Sequence, residues 1–196
     1  MRISDDRYHR ERARLELALR FLRHEARTQT IRTWTGLSDD RIRKLYRAYM
    51  SQVRALLPRH RGKSPRQVAF FTRSLRLQEE SMLLASALTL LGVLPAPSPG
   101  SASQPWTAAA TEAAGASHPP LARGELLCHA FEAFRWLRPQ ALISFEHAVF
   151  LVSALTRGDQ LRLACCEGCG SVMVSERFPL RAARCAYCAG ASHPRC

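Results

Sequence analysis

Four cysteines near the C-terminus have the type and spacing of a metal site. They form two Cys-x-x-Cys motifs, Cys166 to Cys169 and Cys185 to Cys188, separated by fifteen residues. Each motif can turn two thiolates toward one side of a tight loop, and two such loops facing each other make a tetrahedron of sulfur atoms that fits Zn²⁺. Because protein ligands would fill all four positions, we expect one structural zinc ion per chain and no catalytic metal.

The first ligand of this set could be either of two neighbouring residues, Cys165 or Cys166. Cys165 with Cys169 would give a Cys-x-x-x-Cys spacing, which zinc sites also use. We favour Cys166, because Gly168 just before Cys169 makes the first motif similar to the turn at 185–188.

Other uses of the cysteines fit the sequence less well. A thioredoxin-like redox motif needs a βαβ context that this sequence lacks, and iron–sulfur ligation suits this paired spacing less than zinc does. The sequence contains no His-Glu-x-x-His motif. We therefore expect that the protein is not an enzyme.

The positive charge of the chain is its second strong feature. The 196 residues include 29 Lys and Arg against 16 Asp and Glu, a formal net charge of +13. Residues 1–66 hold 18 of these cations and 7 of these acids, so most of the excess lies in the N-terminal third. Such an excess favours an anionic partner, most often nucleic acid, and the arginines that dominate it can make bidentate contacts to phosphate and guanine.

The basic third of the chain has the periodicity of helices. An amphipathic helix is predicted over 8–26, followed by a shorter apolar segment that Gly36 interrupts and by a basic helix from about 39 to 50, with Ser38 as its N-cap. This layout is typical of a helix-turn-helix. Arg32 lies where that motif usually has a small residue, and a helical hairpin with a solvated arginine face is the competing interpretation.

Seven basic residues are candidates for DNA contact. Four lie on the outer faces of the predicted basic helix and three lie in the basic loop after it: Arg41, Arg43, Lys44, Arg47, Arg59, Arg61 and Lys63. Mobile basic loops often contact phosphate, although simple solvation explains the same loop equally well.

The middle of the chain is predicted to be helical. Ser64-Pro65-Arg66-Gln67 reads as a helix N-terminus, and a helical region follows to about Leu94. Its predicted inward residues are Phe70, Phe71, Leu75, Met82, Leu83, Leu88 and Leu91. Residues 95–120 are rich in Pro, Ala, Ser and Gly and predict a linker.

Two further helices are predicted over about 122–137 and 140–156. Pro139 would open the second helix and Gly158 would end it. Short strands are predicted at 161–163 and 172–174, around the first cysteine pair. The expected architecture is mainly α, with a basic helical region at 1–94, a linker at 95–120, a helical hairpin at 121–158 and a zinc module at 159–196.

We expect a cytoplasmic protein with no membrane partner. The N-terminus is polar and lacks the features of a secretory signal. The longest apolar run, Met82 to Leu94, is shorter than the about 20 residues that a membrane-spanning helix needs. The cysteines follow a metal spacing rather than a disulfide pattern, which fits a reducing compartment.

Two parts of the sequence together resemble the FlhC family, a subunit of the bacterial flagellar master regulator. They are the stretch Leu37-Ser38-Asp39-Asp40-Arg41-Ile42-Arg43-Lys44-Leu45-Tyr46 and the array of four cysteines that follows a helical middle region. The resemblance covers most of the chain outside 95–120. It implies zinc ligation by Cys166, Cys169, Cys185 and Cys188.

The resemblance also implies partners. Members of the family act with FlhD in a heterohexamer of four FlhD and two FlhC chains, which binds promoter DNA of flagellar operons and activates their transcription through RNA polymerase. A second hypothesis is a zinc-ribbon-type module that binds RNA or protein without promoter specificity, since it would also be basic.

Overall fold

The structure is a computed structural model that describes residues 2–52, 62, 64–95, 119–178 and 184–190. Its described part is mainly helical, with one two-stranded antiparallel sheet near the C-terminus. The elements are α1 (Arg2–Arg23), α2 (Thr28–Thr35), α3 (Asp39–Gln52), a short 3-10 helix (Val68–Phe71), α4 (Leu75–Leu90), α5 (Pro120–Leu137), α6 (Phe145–Arg157), β1 (Leu161–Cys165), β2 (Val172–Glu176) and α7 (Ala186–Gly190). The expected mainly α fold with a cysteine-containing module and short strands is confirmed.

The first three helices pack against one another. Helix α1 buries Leu17 and Phe21 completely on its inner face, as expected for an amphipathic helix on a core. Helix α2 ends at Gly36, which adopts the left-handed conformation with φ 70° and donates its N–H to Arg32 O at 2.9 Å. Residues with a Cβ rarely adopt that conformation, so Gly36 allows the turn that leads into α3, where Ile42 is buried. The predicted order of a helix, a turn containing glycine and a basic helix is therefore present in α2, Gly36 and α3.

The predicted helix start at Ser64 is wrong. Residues 64–67 are not helical, and the chain forms only the short 3-10 helix before α4 begins. Ser74 is the N-cap of α4, because its hydroxyl accepts a hydrogen bond from Leu77 N at 3.3 Å. Both serines satisfy the same capping preference, and the structure uses the later one.

This later start changes which apolar residues face the core. Leu77 and Leu84 are buried together with Phe71 and Leu88. Two predicted inward residues, Leu75 and Leu91, are instead exposed. The predicted segment 95–120 lies almost wholly outside the described residues.

Helices α5 and α6 correspond to the predicted hairpin, with one corrected boundary. Helix α6 does not open at Pro139 but after Ser144, which forms a capping box with His147. The intervening backbone is held elsewhere, since the buried carboxylate of Glu80 accepts the N–H groups of Leu142 and Ile143 at 2.8 and 3.2 Å. The predicted end at Gly158 is confirmed, with φ 63°.

The two strands form a hairpin that joins the main core. Leu163 lies opposite Val174 in the antiparallel register, and both side chains belong to the same buried cluster as the helices. Strand β2 packs against α4, and β1 contacts α6. The cysteine-containing region is therefore supported by helices of the middle region.

Over the described ranges, no helix is both long and apolar enough to cross a membrane.

Candidate metal centre

Four cysteine sulfur atoms meet beyond the end of the β-hairpin. The Sγ atoms of Cys166, Cys169, Cys185 and Cys188 all lie within 4.8 Å of one another, and those of Cys169 and Cys185 are 3.7 Å apart. A tetrahedral ion about 2.3 Å from each thiolate would place its sulfurs about 3.8 Å apart. The four sequence-predicted residues are therefore brought together at a separation that suits one tetrahedral metal ion.

The first cysteine pair is shaped by the turn that joins the two strands. Cys166 N donates to Ser171 O at 2.9 Å, and Gly170 N donates to Cys166 O at 2.8 Å. Gly170 has φ 72°, a conformation in which a residue with a Cβ would be strained. The turn continues the hydrogen bonding of the hairpin and points Cys166 and Cys169 to the same side.

The second pair is carried by the short helix α7. Cys185 precedes this helix and Cys188 lies one turn later, with Cys188 N donating to Cys185 Sγ at 3.4 Å. Cys185 N donates to Cys166 Sγ at 3.2 Å, which joins the two pairs directly. Helix α7 also contacts α4, so both halves of the cluster are positioned by the same supporting helix.

The structure distinguishes the two candidates for the first ligand. Cys165 is the last residue of β1, lies opposite Val172, and is outside the cluster of four. Successive side chains of a strand point to opposite faces, and the next residue, Cys166, turns its buried thiol into the cluster. The structure thus brings Cys166, and not Cys165, into the cluster of four thiols.

Gly168 is required by the approach of the second pair to the first. A Cβ at this position would lie 2.9 Å from Cys188 Sγ and 3.2 Å from Cys188 Cβ. Contacts below about 3 Å do not occur without displacement of one of the groups. The glycine therefore allows the sulfur of Cys188 to lie against the first loop.

Backbone amides and neighbouring thiols make the four sulfur atoms electrostatically unequal. Burial raises the pKa of Cys166, but hydrogen bonds from the N–H groups of Cys185, Cys169 and Gly168 outweigh it and bring this pKa to about 6. Hydrogen bonds to the Cys185 and Cys169 thiols raise the pKa of Cys188 to about 12. The N–H groups favour the thiolate form that a metal ligand needs. Four thiolates this close together repel one another, which opposes full ionisation unless a cation is bound.

The predicted DNA-contacting residues divide into two groups. Arg41, Arg43, Lys44 and Arg47 are all exposed along α3, whereas Arg59, Arg61 and Lys63 lie outside the described residues. Within α3, Arg41 forms an ion pair with Glu11 of α1, and Arg43 pairs with Asp40 at 3.0 Å. The charge of α3 is thus partly neutralised within the chain.

Arg32 lies at the position where a helix-turn-helix usually has a small residue packed between its helices. Its side chain is half-exposed, pairs with Asp39 at 3.7 Å and donates to Gln29 at 2.7 Å. The long side chain therefore reaches solvent instead of the packed contact between α2 and α3.

A cluster of polar side chains between α1 and α5 was not predicted. Arg20 pairs with Glu125 and, at 2.7 Å, with Glu132, which also contacts His24 at 3.0 Å. His129 lies against the same guanidinium group. The sequence indicates this cluster only through the spacing of Glu125, His129 and Glu132, which are four and three residues apart and so share one face of a helix.

The comparisons with known proteins do not assign this chain to a family. No protein-family model matches the sequence, and the comparison with curated proteins finds no match.

Proposed function

We propose that the protein is a DNA-binding subunit of a transcriptional activator, acting with FlhD at promoters of flagellar operons and stabilised by a structural zinc ion. The observation that carries the proposal is the exposed basic side of α3, three of whose four cations lie in the Leu37–Tyr46 stretch that resembles FlhC. The four-cysteine cluster supports it as the second part of that resemblance.

Zinc is the metal that the donor set favours. Four thiolates are soft ligands, and a closed tetrahedral set of Cys-x-x-Cys pairs is typical of structural Zn²⁺. With Cys166, Cys169, Cys185 and Cys188 all bound, the ion would have no position for water or substrate. We therefore propose one structural Zn²⁺ per chain and no enzymatic activity.

DNA binding would rest on arginine and lysine along α3. Lys44 and Arg47 are exposed, and neither forms a salt bridge with another residue in the described part of the chain. Such cations neutralise phosphates and release counterions, which gives affinity that falls steeply with salt. Contacts to phosphate fix the position of the helix, while base contacts would supply any sequence preference.

The proposed assembly follows from the resemblance. It comprises four FlhD and two copies of this chain on promoter double-stranded DNA, in the cytoplasm, with RNA polymerase as the further partner. A module for RNA or protein is the second candidate, and the ion pairs of Arg41 and Arg43 favour its protein-binding form, because they reduce the charge that α3 can offer to any nucleic acid.

The test measures binding of the purified complex with FlhD to labelled flagellar promoter duplex, scrambled duplex and a structured RNA. We expect preference for the promoter. The double charge reversal Lys44→Glu and Arg47→Glu should weaken binding by at least about tenfold and lower the salt slope by about 2. Arg157→Glu, a single charge reversal on α6, is a control outside α3 and should retain native affinity.

Three results would contradict this proposal. They are equal binding to promoter and scrambled duplex, tighter binding to RNA, and an affinity that is independent of salt. Zinc content is measured on the same samples, so a failure of DNA binding is separated from a failure of the metal assignment.

A further inference from the structure

Helix α3 carries a row of three cations along one side. Arg41, Lys44 and Arg47 follow one another at intervals of three residues, a spacing that makes side chains neighbours on a helix, and all three are exposed. Lys44 and Arg47 form no salt bridge with another described residue, whereas Arg41 is paired with Glu11 of α1. The row therefore begins with a cation that an acid of the same chain already holds.

The pair of Glu11 and Arg41 is more enclosed than the ion pair within α3. The Glu11 side chain is 32% exposed, and its Oε1 atom, which contacts Arg41, is closed to solvent. Asp40, which pairs with Arg43 at 3.0 Å, is 81% exposed. Attraction between opposite charges is stronger where water is excluded, and exposed pairs contribute little. Glu11 therefore restrains Arg41 more than Asp40 restrains Arg43.

Helix α1 fixes the position of Glu11 beside α3. Leu17 anchors α1 in the core, and Glu11 lies on the same continuous helix. Further along the two helices, Arg23 of α1 lies over the ring of Tyr49 of α3, with its Cζ atom 5.9 Å from the ring centroid. Contacts at both places hold α3 against α1, so the Glu11 carboxylate stays near α3 if Arg41 turns away from it.

A phosphate that binds Arg41 must compete with this carboxylate. Breaking the pair would leave Glu11 Oε1, which is closed to solvent, without its cation, and a buried acceptor that loses its partner is destabilising. The second carboxylate oxygen of Glu11 is 3.6 Å from Arg14 NH1 and would keep that contact. The negative charge of Glu11 also repels a phosphate bound at Lys44, the next residue of the row.

We infer that Glu11 lowers the affinity of α3 for duplex DNA by holding Arg41 away from phosphate. Lys44 and Arg47 bind phosphate in the native chain, while Arg41 contributes fully only when Glu11 is removed. A low affinity for random sequence benefits a promoter-binding protein, because nonspecific sites compete with the promoter in large excess. The inference rests on the proposed contact of α3 with duplex DNA, and it does not depend on FlhD or on the zinc ion.

Glu16 offers a matched control on the same helix. It pairs with Arg12 at 2.7 Å, so Glu16→Gln also breaks an arginine pair and removes one negative charge. The Arg12 and Glu16 side chains are both mostly exposed. Glu11 and Glu16 are five residues apart, which places them on different sides of a helix with 3.6 residues per turn. The two variants therefore differ in where the charge is removed and not in how much.

The test measures binding of the full chain to a labelled random-sequence duplex over a range of salt concentrations. Glu11→Gln should raise the affinity by about fivefold and steepen the salt slope by about 1, because one further cation releases a counterion. Glu16→Gln should change the affinity by less than about twofold, since exposed charges are largely screened beyond a Debye length of about 10 Å. Far-ultraviolet circular dichroism checks that each variant is folded.

A further variant shows whether Arg41 causes the steeper salt slope. In an Arg41→Gln background, Glu11→Gln should leave the slope unchanged, because the cation that it would release is gone. An equal steepening with and without Arg41 would overturn the inference, since Arg14 or a general effect of charge would then be its source.

Two other results would also overturn the inference. One is a gain in affinity for Glu11→Gln that is no larger than the gain for Glu16→Gln. The other is weaker binding of Glu11→Gln, which would show that Glu11 supports the position of α3 and does not restrain Arg41. The double charge reversal Lys44→Glu and Arg47→Glu separates these failures from a failure of the proposed function. If that variant binds duplex as the native chain does, α3 does not contact DNA and the proposed function itself is wrong.

Discussion

Neighbouring Cys165 and Cys166 allow a matched test of the metal centre, since they differ by one position in the chain and by their place in the structure. Cys166→Ser removes one of the four clustered sulfurs. It also replaces the sulfur that accepts from Gly168 N at 3.4 Å and Cys185 N at 3.2 Å with a smaller hydroxyl on a shorter bond. Cys165→Ser changes a partly exposed strand residue outside the cluster.

The expected size of the effect follows from these contacts. A structural zinc site contributes about 10–16 kcal/mol, so one ligand in four corresponds to about 3 kcal/mol. That loss is equivalent to a reduction in metal affinity of at least about 100-fold. Cys165→Ser replaces a thiol with a hydroxyl at a partly exposed position, where the expected cost is below about 1 kcal/mol.

Two measurements compare the variants with the native chain. Elemental analysis gives zinc per chain after purification, and titration with a competing chelator gives the relative affinity. We expect the native chain and Cys165→Ser to retain one zinc ion, with intense thiolate charge-transfer bands after substitution by Co²⁺. Cys166→Ser should lose the metal at chelator concentrations that leave Cys165→Ser loaded.

The reverse result would refute the reasoning. If Cys165→Ser lost the metal and Cys166→Ser kept it, the ligand assignment would be wrong. If both variants and the native chain held no thiophilic metal, the proposed zinc site would be wrong.

Two further predictions concern the helical core. Glu80→Ala leaves two backbone N–H groups between α5 and α6 without their acceptor, so we expect the free energy of unfolding, measured by chemical denaturation, to fall by about 2–4 kcal/mol. The control Glu79→Ala changes a more exposed neighbour and should lower it by less than about 0.5 kcal/mol. Similar losses for the two variants would contradict the role of Glu80. Burial lowers the pKa of His24 from its ordinary value of 6.5, so the unfolded chain binds a proton more readily and stability falls as the pH drops below about 6.5. His24→Phe should flatten the stability difference between pH 7.5 and 5.5, and an unchanged difference would show that His24 is not its source.

The local features of the candidate site were predictable from sequence. The spacing of Cys166, Cys169, Cys185 and Cys188 reports loop geometry over a few residues, so it needs no knowledge of distant contacts. Gly158 is a similar case, because a helix end with positive φ is decided within one turn.

Boundaries that depend on distant packing were not predictable. Ser64 and Ser74 satisfy the same capping rule, and the choice between them follows from the burial of Phe71 and Leu77 in the shared core. Pro139 also suits a helix start, but Glu80, far away in sequence, holds the backbone that follows it. Local preference cannot rank such alternatives when tertiary contacts decide them.

The contact between α4 and β2 has a consequence for synthesis of the protein. The two elements are separated by α5, α6 and β1 in the chain, so the side of α4 that packs on β2 is made well before its partner emerges from the ribosome. Contacts of such sequence separation form late and leave apolar surface exposed in the nascent chain. Truncation of the protein before Val172 should therefore give a product that aggregates, even though every helix from α1 to α6 would already have been synthesised.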